Sequence, residues 1–141
     1  MNSFTEPTVS ATTLAYNADR QLTTTMFPGL YGSKTATYNQ GLYSGVTVSS
    51  GGYGRTVTRD SAERISTITT GLSDNVTLGF GYDGRLLTSV QWNGAVSGTV
   101  AYGYDHHFVQ NQISIAGTNV IRTFDADDLL TSMVLGVAGS P

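Results

Sequence analysis

Tyr82-Asp83-Gly84-Arg85-Leu86-Leu87-Thr88-Ser89-Val90-Gln91-Trp92-Asn93-Gly94, with its continuation Gly98-Thr99-Val100-Ala101-Tyr102-Gly103-Tyr104-Asp105, is the stretch that decides the fold. Asp83-Gly84 reads as a turn. Leu86 to Trp92 reads as a strand with Leu86, Thr88, Val90 and Trp92 on one side, because side chains alternate across a strand. Asn93-Gly94 is a hairpin signal, since a type I′ turn needs positive φ at both central residues. Gly98 to Tyr104 returns as a second strand with Val100, Tyr102 and Tyr104 on one face. The hairpin thus opens on one aromatic-acid pair and closes on the next.

That pair recurs along the chain as Tyr16-Asn17, Tyr38-Asn39, Tyr82-Asp83, Tyr104-Asp105 and Phe124-Asp125. Arg59-Asp60 keeps the acid and loses the aromatic. The spacings are 22, 21, 23, 22 and 20 residues, a period at which one supersecondary unit stacks on copies of itself. The other units follow the same plan. Leu22 to Met26 goes out, Phe27-Pro28-Gly29 turns, and Lys34 to Tyr38 returns. Val46 and Val48 go out, and Arg55 to Arg59 returns after Gly51-Gly52. Arg64 to Thr69 and Val76 to Tyr82 flank the turn at 71–75. Ile113 and Ile115 lead through Gly117-Thr118-Asn119 to a return over Val120 to Phe124. No window holds a helical period over three turns. The expected fold is all-β: a single array of antiparallel β-hairpins over residues 1–141, about six units of some 22 residues forming one curved, twisted sheet.

The hairpins at the two ends are incomplete. Residues 8–16 look like a return strand without its outgoing partner, and residues 129–135 like an outgoing strand without its return. Leu14 and Tyr16 at one end, and Leu130 and Val134 at the other, are the expected edge-pairing residues, because open sheet edges invite another strand.

Composition narrows the partners. Charged residues make up only 12% of the 141 residues, the net charge is -3, and Lys34 is the sole lysine, so no basic face for nucleic acid or anionic lipid is expected. Thr and Tyr suit a pleated, half-buried surface. Cysteine is absent, which removes disulfide and thiol chemistry. MNSFTEPTVS lacks a basic start followed by an apolar run, so no signal peptide is visible, and no apolar stretch reaches membrane-spanning length.

Several pairs continue alike: Phe124-Asp125-Ala126-Asp127-Asp128-Leu129-Leu130-Thr131, Arg59-Asp60-Ser61-Ala62-Glu63-Arg64-Ile65-Ser66, and Tyr16-Asn17-Ala18-Asp19-Arg20-Gln21-Leu22-Thr23, with Tyr82-Asp83-Gly84-Arg85-Leu86 as a shortened form. This resembles the YD repeat of the RHS family, whose pattern runs Tyr-Asp, two variable residues, Gly-Arg-Leu, then Thr or Ile. The resemblance covers nearly the whole chain. Only the shortened unit keeps Gly-Arg, and Tyr104-Asp105-His106-His107-Phe108-Val109 has lost both. The resemblance implies a β-shell that encloses a polypeptide, as in RHS and toxin-complex proteins, or supports surface adhesion, as in teneurins. The family's autocatalytic cleavage segment contains Asp-Pro, which this chain lacks, so that chemistry and a toxin do not carry over.

The repeat also has a physical reading. The acid accepts hydrogen bonds from backbone N–H groups two or three residues on, the following Leu or Ile faces the core, and the aromatics stack along the corners. A long Arg59 side chain covers its corner instead.

Other motifs are absorbed by the repeat. His106-His107 would need ligands on one side of an element to hold a metal, and fits the variable turn positions better. Asp125, Asp127 and Asp128 alternate as in calcium loops, but no further ligands follow. Gly51-Gly52-Tyr53-Gly54-Arg55 and Gly32-Ser33-Lys34-Thr35 lack the order of a phosphate loop. Asn75-Val76-Thr77 is a formal glycosylation sequon. No catalytic, cofactor or metal residues are assigned, and no triad is apparent. The expected protein is structural and non-catalytic, bacterial, and secreted or at the cell surface. Its expected partners are itself or the rest of a longer RHS-like chain, an enclosed polypeptide, or a surface glycan. The alternative is a carbohydrate- or surface-binding module using exposed Tyr and Trp92.

Overall fold

The computed structural model describes residues 11–29, 32–71 and 75–137. They form one open sheet of twelve strands, each paired antiparallel with its neighbours in chain order. The strands are β1 (Thr13–Tyr16), β2 (Leu22–Met26), β3 (Ser33–Asn39), β4 (Leu42–Val48), β5 (Tyr53–Arg59) and β6 (Ile65–Thr70). They continue with β7 (Thr77–Asp83), β8 (Leu86–Asn93), β9 (Gly98–Tyr104), β10 (Gln110–Ile115), β11 (Thr118–Phe124) and β12 (Leu130–Val137). The all-β hairpin array read from the sequence is the observed fold, with no α-helix among the described residues. Each strand is short and each turn local, so every strand pairs with the next one along the chain. Residues 1–10, 30–31, 72–74 and 138–141, with parts of the expected first strand and of the 71–75 turn, lie outside the described residues.

The two faces differ in chemistry. Facing residues in adjacent strands share a face, so pairings read as rows across the sheet. One row runs Val57–Ile68–Leu78–Trp92 over β5 to β8, and another Phe80–Val90–Val100 over β7 to β9. The opposite face carries a row Thr37–Gly45–Thr56–Thr69–Thr77 over β3 to β7. Neighbouring hydroxyls there bond to each other, as Thr58 does to Thr67 at 2.6 Å and Thr69 to Thr77 at 3.3 Å. With one layer, neither face is sealed: among the described apolar residues only Val57, 7% exposed, counts as buried.

Two local expectations are corrected. Asn93-Gly94 does not form a two-residue turn. Trp92 pairs with Gly98, and the chain crosses in a wider bend. The Trp92 indole lies across Gly98, where an added methyl would collide with its Cζ2 atom, so this junction needs room that a tight turn would remove. Two-residue turns with two positive φ angles occur instead at Gln40-Gly41 (49° and 79°) and Ala116-Gly117 (48° and 81°), while Gly51-Gly52 (105° and 69°) lies in the wider loop between Val48 and Tyr53. The expected simple alternation in β8 also fails. Gly81 pairs with Ser89 but Tyr82 with Leu87, so Thr88 is an extra residue in a β-bulge. Leu87, rather than Leu86 or Thr88, therefore shares the face of Val90 and Trp92.

Candidate functional site

The bulge recurs at every corner. The residue just before each corner's aromatic, or Arg59, pairs one residue further along the outgoing strand than regular pairing allows. One residue is left over each time: Thr23, Ser44, Ser66, Thr88, Asn111 and Thr131. All six are Ser, Thr or Asn, and the first and last bond back to the partner strand. The Thr23 hydroxyl donates to the Ala15 carbonyl at 3.2 Å, and that of Thr131 to the Thr123 carbonyl at 3.0 Å. Short polar side chains suit a bulge because they return a hydrogen bond to a ladder that the extra residue interrupts.

The six corners fall into two kinds. After Tyr38-Asn39 and Tyr82-Asp83 the chain turns tightly, with Asn39 paired to Leu42 and Asp83 to Leu86. After Tyr16-Asn17, Arg59-Asp60, Tyr104-Asp105 and Phe124-Asp125 it makes one common five-residue loop. In each loop the first residue's N–H donates to the carbonyl four residues on, from Asn17 to Gln21, Asp60 to Arg64, Asp105 to Val109 and Asp125 to Leu129. The side-chain Oδ1 of that residue accepts the N–H four residues on in all four loops, and at the three Asp corners also the N–H two residues on. The expected acceptor role is therefore correct, with the donors two and four residues on rather than two or three. The fourth loop residue takes the left-handed conformation: Arg20 (φ 61°), Glu63 (63°), Phe108 (65°) and Asp128 (58°). That is the position at which the YD pattern has glycine, the residue that tolerates this backbone.

Electrostatics reinforces the loops. At Asp60 the Arg64 guanidinium, 2.7 Å away through Nε, and the backbone N–H groups of Arg64 and Ala62 hold the carboxyl below its ordinary value, against desolvation. At Asp105 desolvation pushes upward, but the N–H groups of Val109 and His107 and the nearby histidines outweigh it, so this carboxyl is lowered too. Arg64 also lies over the Tyr82 ring at 4.5 Å, joining its own corner to the next.

The corner aromatics do not stack on one another as expected. Among the described residues the ring pairs are Tyr38 with Tyr43, edge to face at 6.2 Å, and His106 with His107. The corners are too far apart along the sheet, and the tyrosines use their hydroxyls instead. Tyr38 Oη donates to the Leu22 carbonyl at 3.0 Å, Tyr82 Oη to that of Ile65 at 3.0 Å, and Tyr104 Oη to that of Leu87 at 2.8 Å. Leu22, Ile65 and Leu87 each face the first residue of the preceding corner. The hydroxyl thus stitches one hairpin to the one before it, where the backbone ladder between hairpins has already ended.

Arg59 and Phe124 cannot make this stitch. Arg59 Nη1 turns to the Glu63 carbonyl of its own loop at 2.9 Å, covering the corner as expected, and Phe124 has no hydroxyl. Clefts of about 410 and 400 Å³ lie at these two corners. The first is lined by Asn39, Ser44, Thr58, Arg59 and Glu63. The second has Asp105, His106, His107, Arg122 and Asp125. His107 Nδ1 stands 3.6 Å from Asp128 Oδ1 of the adjacent loop. Among the described residues no three His or carboxylate groups converge as a metal site would. No described helix is long and apolar enough to cross a membrane.

The edge residues lie far apart. Leu14 and Tyr16 (53% and 58% exposed) sit on β1, and Leu130 and Val134 (54% each) on β12, at opposite ends of the sheet. Nothing in the local sequence marks the bulges or the hydroxyl stitch before the strand pairing is known. No protein-family model matches the chain, and no curated protein matches it.

Proposed function

We propose that the chain is a structural, non-catalytic segment of a YD-repeat β-shell, secreted or at the surface of a bacterium, that encloses or presents another polypeptide. One observation carries this reading. All five junctions between hairpins use the same register. The residue two beyond the corner's facing partner pairs with the residue three before the next corner: Thr24 with Thr35, Gly45 with Thr56, Thr67 with Gly79, Ser89 with Ala101, and Gln112 with Ile121. A chain that repeats one junction without variation is organised to extend a surface rather than to build one pocket. The left-handed loop position, falling where the YD pattern has glycine, supports the same reading, and the row of Val, Ile, Leu and Trp on one open face supplies a surface for a second polypeptide to cover.

The array is tested by duplicating residues 82–103. A repeat sheet accepts the added unit with unchanged far-UV circular dichroism per residue and a higher denaturation midpoint; loss of the folded signal defeats the reading. Enclosure is tested with a dye that brightens on apolar surface. The isolated chain should bind it along the apolar face, and an absence of binding means that this face has no room for cargo.

A second reading, a glycan-binding module, is favoured by Tyr53. This residue is 56% exposed and lines a cleft of about 330 Å³ together with Thr47, Arg55 and Thr69. Trp92 is already packed on Gly98. Glycan-array binding lost in Tyr53→Ala would favour this module over the shell.

A further inference from the structure

The same register that joins the hairpins also matches the two open edges of the sheet to each other. β12 is an outgoing strand, and its facing partner at the corner is Leu130, paired to Phe124. β1 is a return strand that ends in the corner residue Tyr16. The internal rule, two residues beyond Leu130 against three before Tyr16, sets Ser132 opposite Thr13. Both residues lie on the threonine-bearing face, since Ser132 pairs with Thr123 and Thr13 with Met26, and Met26 with Ser33. The match therefore preserves both register and face, which a slip of one residue would invert.

Two unspent groups fall in the same place. Tyr38, Tyr82 and Tyr104 all spend their hydroxyls on the carbonyl of the preceding unit. Tyr16 holds the same position in the repeat but has no preceding unit in this sheet, and the residue is 58% exposed. Leu130 carries the equivalent carbonyl, and among the described residues no tyrosine donates to it. The two edge strands also carry no protective residues of their own. β1 (TLAY) and β12 (LTSMVLGV) contain neither a charged residue nor proline, the usual devices that keep edge strands from pairing. On β12, Met133, Val134 and Leu135 are 63%, 54% and 74% exposed.

We propose that copies of this chain join head to tail, β12 of one copy pairing antiparallel with β1 of the next, with Ser132 opposite Thr13 and the Tyr16 hydroxyl donating to the Leu130 carbonyl. This rests on the structural reading above, and the occupant of each edge is a second copy of this chain. The contact is heterologous, so it closes into a ring or grows as a filament according to the rotation per copy.

The absence of cysteine makes the test free of background. The variant Thr13→Cys/Ser132→Cys places thiols directly opposite each other between copies, within the reach of a disulfide. Thr13→Cys/Val134→Cys places them one step diagonal, about 7–8 Å apart and out of reach. Mild oxidation should give covalent multimers in the first variant and little in the second, with light scattering showing the same multimers for the unmodified chain. Tyr16→Phe should raise the dissociation constant roughly fivefold with an unchanged circular dichroism spectrum, the effect of one hydrogen bond. Multimers by scattering with equal or no cross-linking in the two variants would overturn this register while leaving self-association intact. A monomer at all concentrations, or a disulfide formed within one chain, would overturn head-to-tail joining altogether. Neither result touches the repeat-array reading, which the duplication of residues 82–103 tests separately.

Discussion

Tyr82 and Phe124 open corresponding corners, and the hairpins behind them end up held differently. At Tyr82 the hydroxyl reaches the Ile65 carbonyl of the preceding unit, and the Arg64 guanidinium lies over the ring. At Phe124 the same position is aromatic but has no hydroxyl to give, and a cleft of about 400 Å³ lies beside it. Arg59 repeats that outcome with a different side chain. The difference teaches that the corner tyrosine does two separable jobs. Its ring covers the place where adjacent hairpins diverge, and its hydroxyl replaces a ladder bond that the divergence removes. Phenylalanine keeps the first job and loses the second.

The largest effect should come from removing both jobs at once. Tyr82→Ala should destabilise the sheet by about 2 kcal/mol in urea denaturation, since a half-buried ring, a hydrogen bond and a cation–π contact go together. A loss no larger than that of Arg59→Ala would break the comparison. Next comes the loop backbone. Phe108, 71% exposed and at φ 65°, is in a conformation costing about 1 kcal/mol for a side-chain-bearing residue, so Phe108→Gly should stabilise the protein by about that much. A smaller exchange isolates the hydroxyl. Tyr104→Phe should cost about 1 kcal/mol, and Phe124→Tyr should return a similar or slightly smaller amount by donating towards the Gln110 carbonyl. Equal denaturation midpoints for Phe124→Tyr and the parent chain would remove the stitch from the account.

The smallest effect is that of pH. Both Asp60 and Asp105 ionise more readily in the folded chain than at their ordinary value of 3.8. The stability they lend is therefore complete above that value and fades as pH falls through their lowered values. Thermal midpoints measured between about pH 5 and 2 should fall less steeply for Asp60→Asn/Asp105→Asn than for the parent chain. Parallel curves would show that the loop carboxylates do not couple to folding.

Particular residues show how far the sequence could be read. Leu22 to Met26 was legible as β2 to the residue, because a threonine-rich run bounded by turn residues has few other options. The corner at Asp60 was legible as a turn held by its own acid. Its five-residue closure was not, because that depends on Glu63 accepting a left-handed backbone that its side chain disfavours. By sequence alternation Thr88 is one more member of the strand. It is a bulge because Gly81 and Tyr82 on the neighbouring strand pair out of step with it, and a bulge is a property of two strands. Asn93-Gly94 carried the strongest local hairpin signal and did not make that turn, because the Trp92 indole occupies the space over Gly98.

The sequence by itself determined the period, the strands, their antiparallel order and the places where the chain turns. Those follow from interactions between residues close along the chain: alternation across a pleat, turn residues with the right backbone freedom, and an acid beside its own N–H groups. Only the tertiary structure decided which corners are tight and which are looped, where the bulges fall, and which tyrosines reach back to Leu22, Ile65 and Leu87. Those bonds join groups 16 or 17 residues apart, and their geometry exists only once neighbouring hairpins have set their register and diverged.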